Sequence, residues 1–450
     1  VITKVVIAVT AAAAMVPATP STGIEWKPCA DATTCAQLTV PADWSHPGRT
    51  TTIQLARLPA AKQKTGTLFF NPGGPGEGEV GYLQSKQARE YYFPQAIRDN
   101  FDIVAVEPRG TGSNPPLTCP LPIDNSVTKF PRNQTEVDAL LASNGKLGRR
   151  CATDIRLDTV NVARDMDAAR AAIGEQQVSV LGVSYGSMLA QAYAELFPHR
   201  VRAMVVDAIV DRSRPWQQLA ADDALAVEDG VNRFARWCKE NAECALHDAD
   251  VHQTLVQLQS RADAGQIKDG DRAVRAEEIA AAVNTGMQDP GFYSPLAQGL
   301  KKTTETGALG DLAGLTPAKN PDYSVYRAII CQDVPVPVSQ AAQLPALAAK
   351  LRTVAPTLRG YSEFWDIASG CAGWPATVRW TPHNWTVPAD FPAPLLLSGA
   401  HDVATPRIWA ENVQRALPGS RLVRWDGDGH AAWPAHDAGA VTAAVDFLTK

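Results

Sequence analysis

The chain has no run of basic residues. Its 42 Lys and Arg are outnumbered by 47 Asp and Glu, for a formal net charge of −5. A protein that grips phosphate backbones needs clustered cations, so nucleic acid is excluded as a partner. There is no Walker loop, no H-E-x-x-H and no dinucleotide fingerprint. Those absences argue against nucleotide-dependent chemistry and zinc hydrolysis, and no cofactor or metal is expected. Internal repeats and low-complexity tracts are also missing, and the 32 glycines and 33 prolines are scattered. Beyond the first residues no segment is apolar for long enough to span a membrane, so stable membrane insertion is not expected.

What is present reads as an ordinary globular protein, with 45% hydrophobic and 20% charged residues. At 450 residues it can bury a large core, as one α/β domain with an insertion or as two to three domains. Near the start, Lys4 precedes an apolar, alanine-rich run over 5–16, and Val16-Pro17-Ala18 offers small residues for cleavage. This pattern predicts an export signal over 1–18 and a secreted protein; the alternative is a buried helix. The eight cysteines contain no C-x-x-C pair and no zinc-ligand spacing. An even number in an exported chain argues for disulfides, with buried free thiols as the alternative. Pairing in order along the chain gives Cys29–Cys35, Cys119–Cys151, Cys238–Cys244 and Cys331–Cys371.

Apolar, β-branched segments at 51–58, 66–70, 101–106, 178–181 and 203–206 read as strands, with helices at 159–173 and 187–196. Strands alternating with helices predict a mostly parallel sheet covered on both faces. From about 211 to 389 helical patterns dominate, at 220–240, 251–264, 276–287 and 340–353. The strand and helix alternation then returns at 394–399, 407–417, 421–425 and 438–448. The expected organisation is a hydrolase-type core in two parts, 19–210 and 390–450, with 211–389 as a helical cap. Such a cap lies over the strand C-terminal ends, where open α/β sheets keep their active sites.

Gly182-Val183-Ser184-Tyr185-Gly186 follows a strand and opens a helix. That is the context of a nucleophile elbow, which lifts a serine Oγ above the sheet. A serine nucleophile needs a base, an orienting acid and an oxyanion hole. Among eight histidines, His430 lies in the glycine-rich segment Asp426-Gly427-Asp428-Gly429-His430, just after the last strand. His401 and His436 read as structural. Asp402 follows the strand at 394–399 and is the favoured acid; Asp207, at the end of the strand after the elbow, is its competitor. Asp428 is too near His430 in sequence to orient it. One oxyanion N–H is expected from Tyr185. The other is expected from Asn71-Pro72-Gly73-Gly74-Pro75-Gly76, at Gly74 with Gly73 as the second choice. Arg109 reads as a structural tie between loops.

Taken in order, Asn71–Gly76, Glu107-Pro108-Arg109-Gly110-Thr111-Gly112-Ser113, Gly182–Ser187, Gly399-Ala400-His401-Asp402-Val403-Ala404-Thr405-Pro406 and Gly427–His430 form a set. From about Trp26 to the C-terminus the chain resembles the secreted actinobacterial tripeptidyl aminopeptidases, α/β-hydrolases related to proline iminopeptidase. The resemblance implies Ser184 as nucleophile, Asp402 as acid and His430 as base. It further implies a peptide substrate with a free N-terminus, bound beneath the cap. Two departures stand out. The family's glycine loop continues Gly-Pro-Gly-x-Ser-Gly, where this chain has Gly76-Glu77-Gly78-Glu79, and Val403-Ala404 lacks the usual proline.

The expected activity is therefore that of a monomeric serine exopeptidase releasing short peptides. An esterase or lipase-like hydrolase is the alternative, since the same machinery cleaves esters. A binding protein with a dead hydrolase fold is the third reading. Exopeptidase action calls for a carboxylate to hold the substrate ammonium. The candidates are Asp222, Asp223, Glu228, Asp229, Glu240, Glu243, Asp333, Glu363 and Asp366 in the cap, with Glu77 and Glu79 beside the oxyanion loop.

Overall fold

The computed structural model describes residues 24–115, 117, 119, 126–316, 323–375, 381–417 and 419–450. The export signal expected at 1–18 lies outside the described residues. The strands are β1 (Lys27–Ala30), β2 (Thr33–Pro41), β3 (Thr50–Leu58), β4 (Gly66–Asn71), β5 (Phe101–Val106), β6 (Val178–Val183) and β7 (Val201–Asp207). A two-residue pair, β8 (Lys268–Asp269) and β9 (Arg272–Ala273), precedes β10 (Leu395–His401) and β11 (Arg421–Asp428). Nine of them form one sheet in the order β1-β2-β3-β5-β4-β6-β7-β10-β11. From β5 to β11 neighbouring strands run parallel, and β1, β2 and β3 add antiparallel pairs at one edge.

The sheet holds together because successive side chains serve opposite faces. Phe69, Val104, Val180, Val206 and Leu396 pack on one side with Val162, Met166 and Leu189 from the helices Thr159–Ala172 and Tyr185–Leu196. Leu68, Ile103, Leu181, Val205 and Leu397 pack on the other with Val80, Phe93, Ile97 and Leu448. All six residues of β6 are buried, as its continuous apolar run requires. Arg109 is fully buried and ties three loops: it donates to Asp165 and to the carbonyls of Pro41, Ala42 and Arg156.

Between β7 and β10 the described chain is mainly helical, led by the helix Trp216–Glu240. The helix Gln134–Arg150, which precedes β6, packs with this segment rather than with the sheet: Val137, Leu140 and Leu147 share a core with Trp216, Leu344 and Trp365. The stretch expected as one helix over 340–353 is a 3-10 turn, Val338–Gln343, and then a helix, Leu344–Val354. Pro345 lacks an N–H, so it stands in the helix's first turn and not in its interior. Four disulfides pair the cysteines in chain order: Cys29–Cys35, Cys119–Cys151, Cys238–Cys244 and Cys331–Cys371. The last joins the helices Tyr323–Asp333 and Glu363–Cys371. Among the described residues no helix is long and apolar enough to cross a membrane.

Candidate active site

Ser184 sits between β6 and the helix Tyr185–Leu196, with φ 58° and ψ −123°. A side chain rarely adopts this conformation unless its surroundings enforce it. The flanking glycines are steric requirements. A Cβ on Gly182 would lie 2.3 Å from the Gly186 carbonyl oxygen, and one on Gly186 would lie 2.5 Å from that of Asn71. The helix begins at Tyr185, two residues before the sequence-based expectation, so its N-terminal amides lie directly beside the serine.

Ser184, Asp402 and His430 stand at the C-terminal ends of β6, β10 and β11 and are joined by hydrogen bonds. His430 Nε2 is 2.8 Å from Ser184 Oγ, and Nδ1 is 2.9 and 3.0 Å from the Asp402 oxygens. Asp402 is buried and fully partnered. Its Oδ1 accepts from the amides of Ala404 (2.9 Å) and Thr405 (2.8 Å), and its Oδ2 accepts from Thr405 Oγ1 (2.8 Å) and the Ala431 amide (3.3 Å). Burial alone would raise this carboxyl, but the His430 charge and these hydrogen bonds outweigh it and hold Asp402 below the usual carboxylate range. For His430, burial pulls downward. Asp402 outweighs it, helped by Glu363 and Asp207, and the imidazole is raised to about 9.

Asp207 does not reach His430. Its Oδ2 accepts from the amides of Ala432 (2.8 Å) and Trp433 (2.7 Å), so it clamps the loop that carries the histidine. Burial first, and then Asp402, raise Asp207 to about 6. Asp428 is bonded to Arg233 and His401 to Asp229 at 2.7 Å. His436 Nδ1 contacts the carbonyls of His430 and Ala431, at 3.0 and 2.8 Å. In the glycine loop, the Gly73 amide donates to Asn71 Oδ1 at 3.0 Å. Gly74 and Tyr185 line the small pocket that contains Ser184.

That pocket shares Gly74, Pro75, Tyr326 and Glu363 with a neighbouring cavity of about 590 Å³, so the two form one cleft. Of the candidate ammonium partners, only Glu363, Asp366 and Glu77 line it. Asp366 is compensated, since it accepts from Lys129, from Tyr323 and from Arg327 Nη2 at 2.6 Å. Glu363 accepts from Tyr326 OH at 2.9 Å and from Gln288 Nε2 at 3.5 Å, and no Lys or Arg is bonded to it among the described residues. Burial raises its carboxyl, and the positive charge on His430 works against that rise. Glu77 accepts from Tyr82 OH at 2.7 Å.

The other carboxylates point elsewhere. Glu79 turns inward to Asn71, where burial and the neighbouring Glu107 raise it well above the usual range. Asp223 accepts from the Phe364 amide, and Glu228 from Thr357. Asp222 pairs with Arg214, Asp229 holds His401, and Glu240 and Glu243 are exposed. Asp333 lies behind the elbow, bonded to Thr159 and to Tyr185 OH. A larger cavity of about 900 Å³, lined by Arg132, Arg275 and Arg352, touches none of Ser184, Asp402 and His430.

Sequence reasoning missed Thr405, which braces Asp402 and comes within 3.4 Å of His430 Nδ1, although it lies inside the segment that supplied the acid. It also missed Tyr326 and Gln288, for which no sequence signal existed.

Residues 66–434 match the family described as alpha/beta hydrolase fold. The chain is 30% identical over 455 residues to serine protease Hip1 of Mycobacterium tuberculosis, covering 90% of this chain and 85% of that protein. It is 28% identical over 441 residues to the tripeptidyl aminopeptidase of Streptomyces coelicolor, covering 89% and 79%. It is 29% identical over 434 residues to carboxylesterase B of Mycobacterium tuberculosis, covering 88% and 80%.

Proposed function

We propose, from the premise that the chain belongs to the α/β-hydrolase serine peptidase family, that it is a secreted aminopeptidase releasing tripeptides from free N-termini. His430 Nε2 takes the proton as Ser184 Oγ attacks the scissile carbonyl, and Asp402 keeps the proton on Nδ1 so that Nε2 can act as the base. The amides of Gly74 and Tyr185 receive the oxyanion, and the strained backbone at Ser184 presents the nucleophile to the carbonyl carbon. The imidazolium then protonates the leaving amine, and water, activated by the same histidine, releases the acyl group.

The observation that carries the exopeptidase reading is Glu363. It is a carboxylate with no Lys or Arg as partner among the described residues, in the wall shared by the serine pocket and the larger cavity. A substrate ammonium would supply that partner. The residues 211–389, joined by the helix Gln134–Arg150, act in this reading as the cap that closes the cleft. The four disulfides support an exported, oxidised protein, and we take the active form to be a monomer. An esterase is the second reading, favoured by the likeness to carboxylesterase B. The deciding assay compares a tripeptide p-nitroanilide, its N-acetyl form and p-nitrophenyl acetate. Acetylation is expected to lower kcat/KM by at least about tenfold, and Glu363→Gln to shrink that gap. Equal cleavage of free and blocked peptides would move the assignment to esterase or endopeptidase.

A further inference from the structure

A chain of buried hydrogen bonds runs behind the glycine loop and ends beside the nucleophile. Asn71, the last residue of β4, is buried and stands opposite Gly182 of the elbow in the parallel register of β4 and β6. Its Oδ1 accepts from the Gly73 amide at 3.0 Å. Gly73 packs on the nucleophile itself, since a Cβ there would lie 2.9 Å from Ser184 Cβ. Asn71 also abuts the elbow: a Cβ on Gly186 would lie 2.6 Å from Asn71 Oδ1. One side-chain amide therefore meets both the glycine loop and the turn that carries Ser184.

The two ends of an asparagine amide are not equivalent, and only the oxygen can receive a backbone N–H. With Oδ1 on Gly73, Nδ2 points the other way, where it donates to Glu79 Oε1. Glu79 is buried and lines neither the serine pocket nor the neighbouring cavity, so it does not meet substrate. Its own position is anchored. The Glu79 amide and the Val80 amide (2.8 Å) donate to Glu107 Oε2, and Ser113 donates to Glu107 Oε1 through its amide (2.7 Å) and its Oγ (2.8 Å). Burial, and then the neighbouring Glu107, raise the Glu79 carboxyl well above the usual range. A neutral carboxyl keeps a carbonyl oxygen, so it can accept from Asn71 without placing a second charge beside Glu107.

We propose that Glu79 is a positioning residue for the oxyanion loop: by accepting from Asn71 Nδ2 it keeps Asn71 Oδ1 on the Gly73 amide, and so sets the Gly73–Gly74 peptide beside Ser184. The Gly74 N–H belongs to that rigid peptide unit. The inference rests on the serine hydrolase reading in which Gly74 receives the oxyanion, and it adds the residue that holds this donor in place. Without an acceptor at position 79, Nδ2 is left buried and unpaired at a cost of about 1–3 kcal/mol. Turning the amide to relieve that cost takes the oxygen away from Gly73. A misplacement of about 1 Å in such a constellation costs on the order of a hundredfold in rate.

The test uses the full chain, with Glu79→Leu and Glu79→Gln compared with wild type on a tripeptide p-nitroanilide, its N-acetyl form and p-nitrophenyl acetate. Rates are divided by the number of sites titrated with a fluorophosphonate. Glu79→Leu removes the acceptor at similar volume. It is expected to lower kcat by about ten- to a hundredfold on every substrate the wild type cleaves, with KM changed by less than about threefold, because oxyanion contacts form in the transition state. Glu79→Gln keeps a carbonyl oxygen for Asn71 and should hold kcat within about threefold of wild type. A purely structural role would lower the thermal midpoint and the number of titrated sites, and would leave kcat per site unchanged. If Glu79→Leu does not fold, Glu79→Met is read the same way. Wild-type kcat per site in Glu79→Leu, a loss confined to KM, or an equal loss in Glu79→Gln overturns the proposal. The two readings fail differently. A wild type that cleaves none of the three substrates and takes up no fluorophosphonate removes the serine hydrolase reading, whereas wild-type kcat in Glu79→Leu removes only the role of Glu79.

Discussion

Replacing Asp402 by Asn tests the core of the mechanism, because this carboxylate is surrounded only by donors. His430 Nδ1, the amides of Ala404, Thr405 and Ala431, and Thr405 Oγ1 all point at its two oxygens. An asparagine must turn its NH₂ toward some of them. Turned toward Ala404 and Thr405, it loses two bonds that hold the turn after β10. Turned toward His430, it forces Nδ1 to accept and places the ring proton on Nε2, where it blocks removal of the Ser184 proton. In other triads that misassigned tautomer costs roughly four orders of magnitude in kcat. The charge matters as well. Against the pull of burial, Asp402 is the main cause that raises His430 to about 9.

The pH dependence gives the assignment a second readout. The base must be neutral to act, so kcat/KM falls as pH drops through the His430 pKa. In wild type that acid limb is expected above 6.5, in the direction of about 9. In Asp402→Asn the raising charge is gone, so the limb should move to lower pH while the plateau collapses. The assay is kcat/KM against pH on a tripeptide p-nitroanilide, for wild type and variant purified free of host hydrolases. An Asp402→Asn enzyme within tenfold of wild type, or one whose acid limb stays in place, would refute the reasoning.

Asp207→Asn should cost much less, because an amide oxygen can still accept from Ala432 and Trp433; a larger loss than that of Asp402→Asn would reverse the choice of acid. Ser184→Ala should lower turnover about a thousandfold or more with folding intact, and loss of fluorophosphonate labelling in this variant reports the same site. Arg109→Ala leaves Asp165 buried without its cation, so denaturant unfolding should show a loss of about 3–5 kcal/mol. Peptide mapping of unreduced protein should recover the four cysteine pairs in chain order, and a different set would contradict the structure.

The parallel core was legible because its signals are local. Each buried strand is a short apolar run, and each ends at residues with a role: Asn71 in the glycine loop, Ser184 at the elbow, Asp207 in the histidine clamp. Ser184, Asp402 and His430 could be singled out because a triad orders its residues along the chain and places them just past strand ends. The helix Gln134–Arg150 was not legible, and the reason is tertiary. Gly145 and Gly148 weaken its local helix propensity, and a Cβ on Gly148 would lie 2.4 Å from Pro375 Cδ. The glycine is a requirement of packing against a segment more than 200 residues away, and no local rule can see it.

The cleft was the least legible part, for a related physical reason. Eleven carboxylates were plausible ammonium partners by residue type, and which of them face the substrate depends on what each already bonds. Asp333 illustrates the point. On sequence it is one more acid in the cap. In the fold its Oδ2 lies 3.2 Å from Tyr185 OH and accepts from Thr159 Oγ1 at 2.5 Å, and burial followed by Asp158 raises it to about 6. It sits two residues from Cys331, whose disulfide holds the helix of Tyr326 against the helix of Glu363. The helix Tyr323–Asp333 thus grips the side chain that follows the nucleophile at its end and lines the substrate cavity along its length. In the proposed reading, the oxyanion donor Tyr185 and the wall that carries Glu363 are thus tied together by one connected piece of structure. A change in the cap that shifts this helix should therefore alter kcat as well as KM, even though no triad residue belongs to it.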